Sequence, residues 1–316
     1  MNHDINILKK LFYVFLLIFS ILVFDGFFQF FSGKNILGYI LNPGPRVSSF
    51  FNEELILGSY LSRLFPIFFG LMVYFYNTIK KTTYYYSLCL FILSEILIYL
   101  SGERAAFFHM NLSSIFILFF IRKFRKVRLV IMSLSLIFIV VISNSFPATK
   151  NRVIDQTIKQ MNLSSGKVDK VLIFSEQHDH IIRTALKIAK DNIFFGVGVK
   201  NFRHFCSYDE YEISIYSCNN HPHNTYVQLV SELGLFGLSF ALYLLYLLSK
   251  FTIIHFFRLF KKEYYFDDFQ VCLISAILIS LWPLVPTGNL FNNWLSIIYY
   301  FPVGILLWSF NKKRNV

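Results

Sequence analysis

Charge is scarce in this chain. Only 15% of its 316 residues are charged, where a soluble domain usually carries about 25%. With 55% hydrophobic residues and a mean hydropathy of +0.53, the chain is suited to a bilayer. The apolar–polar alternation that lines a barrel lumen is missing, which excludes membrane strands and leaves helices. No small-residue cleavage site follows the first apolar segment, so it reads as a retained helix and not a removed signal. There is no internal repeat and no low-complexity tract. The apolar segments are nearly free of central charge, with Glu95 and His109 the modest exceptions. A carrier built from inverted repeats with ionisable residues at the midplane is therefore disfavoured.

What is present is a series of about eight apolar segments, each near the 17–25 residues needed to cross a bilayer. They run approximately over 11–32, 57–76, 84–100, 105–121, 129–146, 226–249, 268–286 and 291–309. The expected fold is an all-α integral membrane protein with one large helical loop. The expected divisions are 1–146 (N-terminal membrane helices), 147–225 (the loop) and 226–316 (C-terminal membrane helices). Basic residues sort by side. One set of connections holds Lys9, Lys10, Lys80, Lys81, Arg122, Lys123, Arg125, Lys126, Arg128, Lys250, Arg258, Lys261, Lys262, Lys312, Lys313 and Arg314. The short loops of the other set hold only Lys34, Arg46 and Arg104. The positive-inside rule then puts both termini in the cytoplasm and the large loop outside. The net charge of +12 reads as an orientation and lipid-surface signal, not as a nucleic-acid footprint.

The polar residues of interest fall on the outer side. His221-Pro222-His223-Asn224-Thr225-Tyr226-Val227-Gln228 ends the large loop and leads straight into an apolar run. A neutral imidazole at His223 can take a proton from a hydroxyl; packing against lipid headgroups is the plainer reading. Asn224 and Thr225 are suited to cap the following helix. Arg104, in Ser101-Gly102-Glu103-Arg104, stands at the outer end of two apolar segments, where its planar fork suits phosphate oxygens. The alternatives there are snorkelling or an ion pair with Glu103. Arg46 follows the turn Asn42-Pro43-Gly44-Pro45, and two arginines on one face would suit a pyrophosphate. Arg203 is a third anion contact by the same logic. Glu232 sits where the chain enters the membrane and either acts or simply faces the loop.

Two His-x-His pairs, His178-Asp179-His180 and His221-Pro222-His223, raise a four-histidine metal site. Pro222 and the helix expected around 180 work against it, and no metal is expected. Residues 153–190 read as helical. Gly196-Val197-Gly198 lacks the third glycine of a dinucleotide loop and reads as a turn closing the preceding helix. Cys89 and Cys272 lie within apolar segments as packing residues. Cys206 and Cys218 lie close together in the outer loop, where an oxidising compartment lets them close a disulfide just before His221.

Taken together these residues resemble the O-antigen polymerase and O-antigen ligase superfamily of bacterial inner membranes. The resemblance rests on residues 191–203, on His223-Asn224 followed by Gly234-Leu235-Phe236-Gly237, on Ser101–Arg104, and on the arginine segment from Arg46 to Leu55. Family members usually carry more spans than this chain, so against the resemblance the chain starts late, as if several N-terminal helices were missing or the start were misplaced. It further implies a GT-C-like helical glycosyltransferase of the inner membrane with its active site facing the periplasm. The donor would be an undecaprenyl-diphosphate-linked oligosaccharide and no cofactor would be needed. His223 would act as base and Arg104 would serve the leaving group. Arg46, Arg203, His221, Asn224 and Gln228 would bind diphosphate or glycan. Polymerase and ligase differ in acceptor, and paired Cys206 and Cys218 lean toward the polymerase. Implied partners are the bilayer and a chain-length regulator or flippase.

Overall fold

The computed structural model describes residues 2–161 and 174–314. Among them the regular structure is helical, apart from two isolated β-bridges, Lys34 with Ile40 and Asn42 with Arg46. In chain order the helices are α1 (Asn2–Ser32), α2 (Leu57–Phe75), α3 (Lys81–Leu100), α4 (Arg104–Phe120), α5 (Arg125–Ser145) and α6 (Pro147–Lys150). After a π turn at Asn151–Asp155 come α7 (Gln156–Gln160), α8 (Glu176–Asp191), α9 (Phe202–Phe205), α10 (Thr225–Phe260), α11 (Asp268–Ser280) and α12 (Asn293–Arg314). Each of the eight apolar segments falls on a helix. Six of these helices, α1, α2, α3, α5, α10 and α12, are long and apolar enough to cross a membrane, whereas α4 and α11 are shorter. The chain is an all-helical membrane protein. Part of the helix expected over 153–190 is found at its two ends, and residues 162–173 lie outside the described residues.

The chain forms two compact units. One takes the residues up to Asp155, His255–Ile279 and the chain from Pro302; the other takes Gln156–Ile254 and Ser280–Phe301.

In the first unit α2 is buried along nearly its whole length. Its Phe65, Phe68 and Phe69 meet Phe91 of α3 at ring-centroid distances of 5.0, 4.8 and 5.4 Å, and Phe68 meets Phe19 of α1 at 4.9 Å. Water does not drive helices together inside lipid, so packing of large rings and bonds between polar groups must hold them. Much of the phenylalanine excess goes into this core. One polar network crosses it. Arg128 is fully buried and pairs with Glu95 of α3; Ser114 bonds the guanidinium and Ser135 the carboxylate. The Phe65 ring lies 4.9 Å from the guanidinium carbon. By charge sorting Arg128 read as a solvated charge of a cytoplasmic connection. It is instead one turn inside α5, where a counter-ion and a hydroxyl on neighbouring helices bond its two terminal nitrogens.

The first unit keeps most of its basic connections, Lys80, Lys81, Arg122, Lys123, Arg125 and Lys126, at one end. Asp268 accepts from the amides of Arg122 and Lys123 at 2.9 and 3.0 Å there. The opposite end gathers the loop 33–56, the turn 101–103 and the segment after α5. In the second unit α8 is amphipathic. It lays Ile181, Ala185 and Ile188 on Phe202, Cys206 and Tyr211. Cys206 and Cys218 are joined in a disulfide with Cα atoms 5.1 Å apart. Helix α10 is broken at Gly234, which has φ 64° and ψ −155°.

Candidate functional site

In the first unit the site begins with two polar residues on membrane helix α1. Asp25 and Gln29 lie one turn apart and are fully buried. Asp25 accepts from the Ser49 hydroxyl at 2.5 Å and the Ile36 amide at 3.0 Å. Gln29 accepts from the amides of Ser48 and Ser49 at 2.9 and 2.7 Å and donates to the Tyr39 carbonyl at 3.2 Å. Buried backbone groups of an irregular loop need such partners, so this pair shapes the loop that carries Arg46. A tight turn over Pro43-Gly44-Pro45 is closed by Arg46 and Asn42, whose amides donate to each other's carbonyls at 3.1 and 3.3 Å. The Val47 amide then donates to Leu100 at 3.1 Å, and Arg46 Nε to the Ser101 carbonyl at 3.3 Å.

Three arginines meet here. Gly102 has φ +67°, and a Cβ on it would stand 2.9 Å from Arg46 Cγ and 3.3 Å from Arg152 Cγ. Arg152 also reaches the Gly44 turn and interacts electrostatically with both Arg46 and Arg104. Burial, then Arg152, then Arg104 lower the Arg46 guanidinium pKa, with Glu103 opposing them. Glu103 does not serve mainly as an ion-pair partner for Arg104. Its carboxylate accepts from the amides of Gly58 and Ser59 at 2.6 and 3.1 Å and from the Ser59 hydroxyl at 2.6 Å, at the start of α2. A carboxylate is stabilised at a helix N-terminus. Burial nevertheless pushes the Glu103 carboxyl up, and these bonds pull it back. Three half-buried arginines side by side are the type of group that suits an anion of more than one charge. The sequence reading named Arg46 and Arg104 but not Arg152. No motif marks Arg152, whose place follows from the π turn after α6.

The second unit holds the histidines. The His223 ring lies 4.0 Å from that of His221 and 4.9 Å from that of His178. His178 comes from the first turn of α8, where Ser175 bonds its Nδ1 at 2.8 Å. His221 Nε2 faces the Thr287 carbonyl oxygen at 3.2 Å and its Nδ1 faces Asn220 Oδ1 at 2.5 Å, an oxygen on either side of the ring. His223 is in the left-handed region with φ +55°, and its carbonyl accepts from the Thr287 amide at 2.8 Å. The half-buried ring makes no hydrogen bond to the described residues. Burial, then His221, then His178 push the His223 pKa down to about 3. The ring is therefore neutral and offers a lone pair at ordinary pH.

Of the remaining residues singled out from the sequence, Asn224, Gln228 and Glu232 hold this loop and the start of α10 in place. Asn224 Oδ1 accepts from the amides of Tyr226 and Val227 at 3.0 and 3.2 Å, capping α10, and its Nδ2 donates to the Pro283 carbonyl at 2.7 Å. Gln228 is fully buried. It donates to Asn289 and Glu232 at 2.8 and 3.0 Å and accepts from the Leu290 amide at 3.0 Å. Glu232 also accepts from the Phe202 amide at 3.2 Å. Arg203 is exposed and its Nε donates to the Lys200 carbonyl at 2.9 Å. The four-histidine arrangement does not form. Two residues apart on a helix point about 200° apart, so His178 turns to His223 while His180 bonds Ser214 at 2.7 Å. Among the described residues no group of three His, Cys, Asp or Glu side chains is arranged to hold a metal ion.

Residues 88–242 match the family model described as O-antigen ligase. Residues 88–242 thus carry a domain of the O-antigen ligase and polymerase superfamily. The match spans Arg104, Arg152, the three clustered histidines, Asn224, Gln228 and the Gly234 break, and it leaves Arg46 outside. No curated protein matches the chain. Members of this superfamily are glycosyltransferase-like membrane enzymes, and that general activity is the one the domain carries.

Proposed function

We propose that this protein is a polysaccharide polymerase of the bacterial inner membrane, working at the periplasmic face. It would transfer a glycan from undecaprenyl diphosphate to a hydroxyl of another lipid-linked repeat unit. The observation that carries the reading is the half-buried His223 ring, without a hydrogen bond to the described residues, at the start of a helix long and apolar enough to cross a membrane. In the reaction His223 takes the acceptor O–H proton. The acceptor oxygen bonds the anomeric carbon as the bond from that carbon to the phosphate oxygen breaks. Undecaprenyl diphosphate leaves with the electron pair, and attack from the far side inverts the sugar carbon. Arg46, Arg104 and Arg152 balance the growing charge of the leaving group, a task often given to a divalent ion. An apolar groove of about 650 Å3 between α1 and α3, lined by Phe24, Phe27, Phe28, Phe31, Leu90 and Leu93, suits a polyisoprenoid tail.

The description of the matching family favours a second reading, a ligase that hands the glycan to lipid A-core. Purified protein in bilayer discs is to be given lipid-diphosphate-linked repeat units in chelator, with and without lipid A-core. A ladder of lengthened lipid-linked glycan without core is expected. Product only with core supports the ligase. Absence of product from folded protein in both, or product only after a divalent ion is restored, overturns the mechanism.

A further inference from the structure

The loop that follows α8 exposes large apolar side chains. Phe194 and Phe195 keep 65% and 75% of their surface open, far more than the core residues of the same unit. The Phe195 ring stacks on Phe236 of α10 at 5.5 Å and 18°. Phe236, Phe240 and Tyr243, all exposed, recur at helical spacing along α10. They form one face of a helix long and apolar enough to cross a membrane. Phe195 thus extends a lipid-facing stripe upward from the helix onto the loop. The loop is also bolted to α10 by its backbone. The Leu235 amide donates to the Ile193 carbonyl at 2.8 Å, and the amides of Val197 and Gly198 donate to Ser231 and Glu232 at 3.0 and 2.9 Å. Lys190 and Lys200 flank the aromatic tip, as basic residues commonly flank an interfacial anchor.

We propose that Ile193-Phe194-Phe195 is a membrane-inserted wedge whose partner is the acyl region of the adjoining leaflet. It fixes the height of the first segment of α10, and hence of the histidine loop, against the bilayer surface. Four observations carry this: the exposure of the tip, its stacking on Phe236, the continuity with a membrane-facing stripe, and the backbone bolts that make tip and helix one body. The inference rests on α10 crossing the membrane and not on the proposed reaction.

The test uses the full chain with Cys89→Ser, since Cys272 is buried and Cys206 and Cys218 are bonded to each other. A nitroxide is placed through Phe194→Cys, Phe195→Cys, Phe240→Cys or Asp209→Cys, one at a time. Each protein is reconstituted in phosphatidylethanolamine–phosphatidylglycerol vesicles, and collisions with oxygen and with a water-soluble nickel chelate are compared. Labels at 194 and 195 are expected to behave like the label at 240, oxygen-rich and several-fold shielded from nickel relative to 209. Nickel collision at 194 and 195 equal to that at 209 overturns the wedge. Phe194→Trp offers a reading with less perturbation. Bromines on the acyl chains should quench an additional fraction of fluorescence absent from the parent protein, and no additional quenching overturns the proposal.

Discussion

Replacing Gly234 by alanine tests how the histidine loop is held. At φ 64° and ψ −155° the residue sits in a region that only glycine occupies readily, and an L-residue there costs about 1–3 kcal/mol. A Cβ would also stand 2.2 Å from the Phe194 carbonyl oxygen. Relieving that overlap costs about 1–3 kcal/mol by analogy with overpacking. The relief must separate strands of chain joined by three backbone hydrogen bonds, each worth about 0.5–1.5 kcal/mol. The first two costs alone come to about 4 kcal/mol, any hydrogen bond lost adding to them, so at roughly 2 °C per kcal/mol for a chain of this size the melting temperature falls by at least about 8 °C. Gly196→Ala approaches the same contact from the other side, its Cβ 2.4 Å from the Glu232 carbonyl carbon. The double variant should therefore lose less than the sum of the two. Gly304→Ala is the control, because nothing lies within 4 Å of its Cβ. Inside α12 alanine should be neutral or gain up to about 1 kcal/mol. Thermal unfolding of purified protein in detergent reads all four. A Gly234→Ala protein that melts with the parent, or additive losses in the double variant, would refute the interlock.

Four further outcomes follow from the same contacts. Because His223 is held near 3 against an ordinary 6.5, the unfolded chain binds a proton between those values that the folded chain refuses. Its contribution to stability is complete above about pH 6.5 and is lost as pH falls through that window; kcat/KM should show no acid limb near 6.5, and His178→Asn, which removes one neighbouring imidazole, should move any acid limb upward. Arg152→Gln should lower kcat/KM by about 10- to 100-fold if the proposed charged contact to a diphosphate is lost, with Arg152→Lys recovering part of it; wild-type turnover in Arg152→Gln removes the residue from the site. Gln29→Leu leaves the amides of Ser48 and Ser49 without their acceptor, at about 1–3 kcal/mol each, so proteolysis of loop 33–56 should accelerate. Reducing Cys206–Cys218 should lower the melting temperature by the equivalent of about 2–3 kcal/mol, and an unchanged melting curve after verified reduction would count against its role in bracing the loop before His221.

Much of the architecture was legible from the chain itself. Apolar length and charge sorting are local properties, so the eight helical segments and the polar loops between them could be read directly. His223, Asn224 and Gly234 could be singled out because they lie close together in sequence, and the cap by Asn224 follows from its place beside Thr225. Tertiary structure alone decided which distant groups meet. Arg152 joins Arg46 over Gly102 across 106 positions of chain, and His178 reaches His223 from another helix. Gln228 turned out to bond the 289–290 segment with all of its polar atoms. Arg128, counted as a surface charge by its neighbours in sequence, is buried against Glu95. Periodicity and charge bias report how each segment meets water or lipid. They carry no information on which helix faces which, and that pairing assembles the arginines and the histidines.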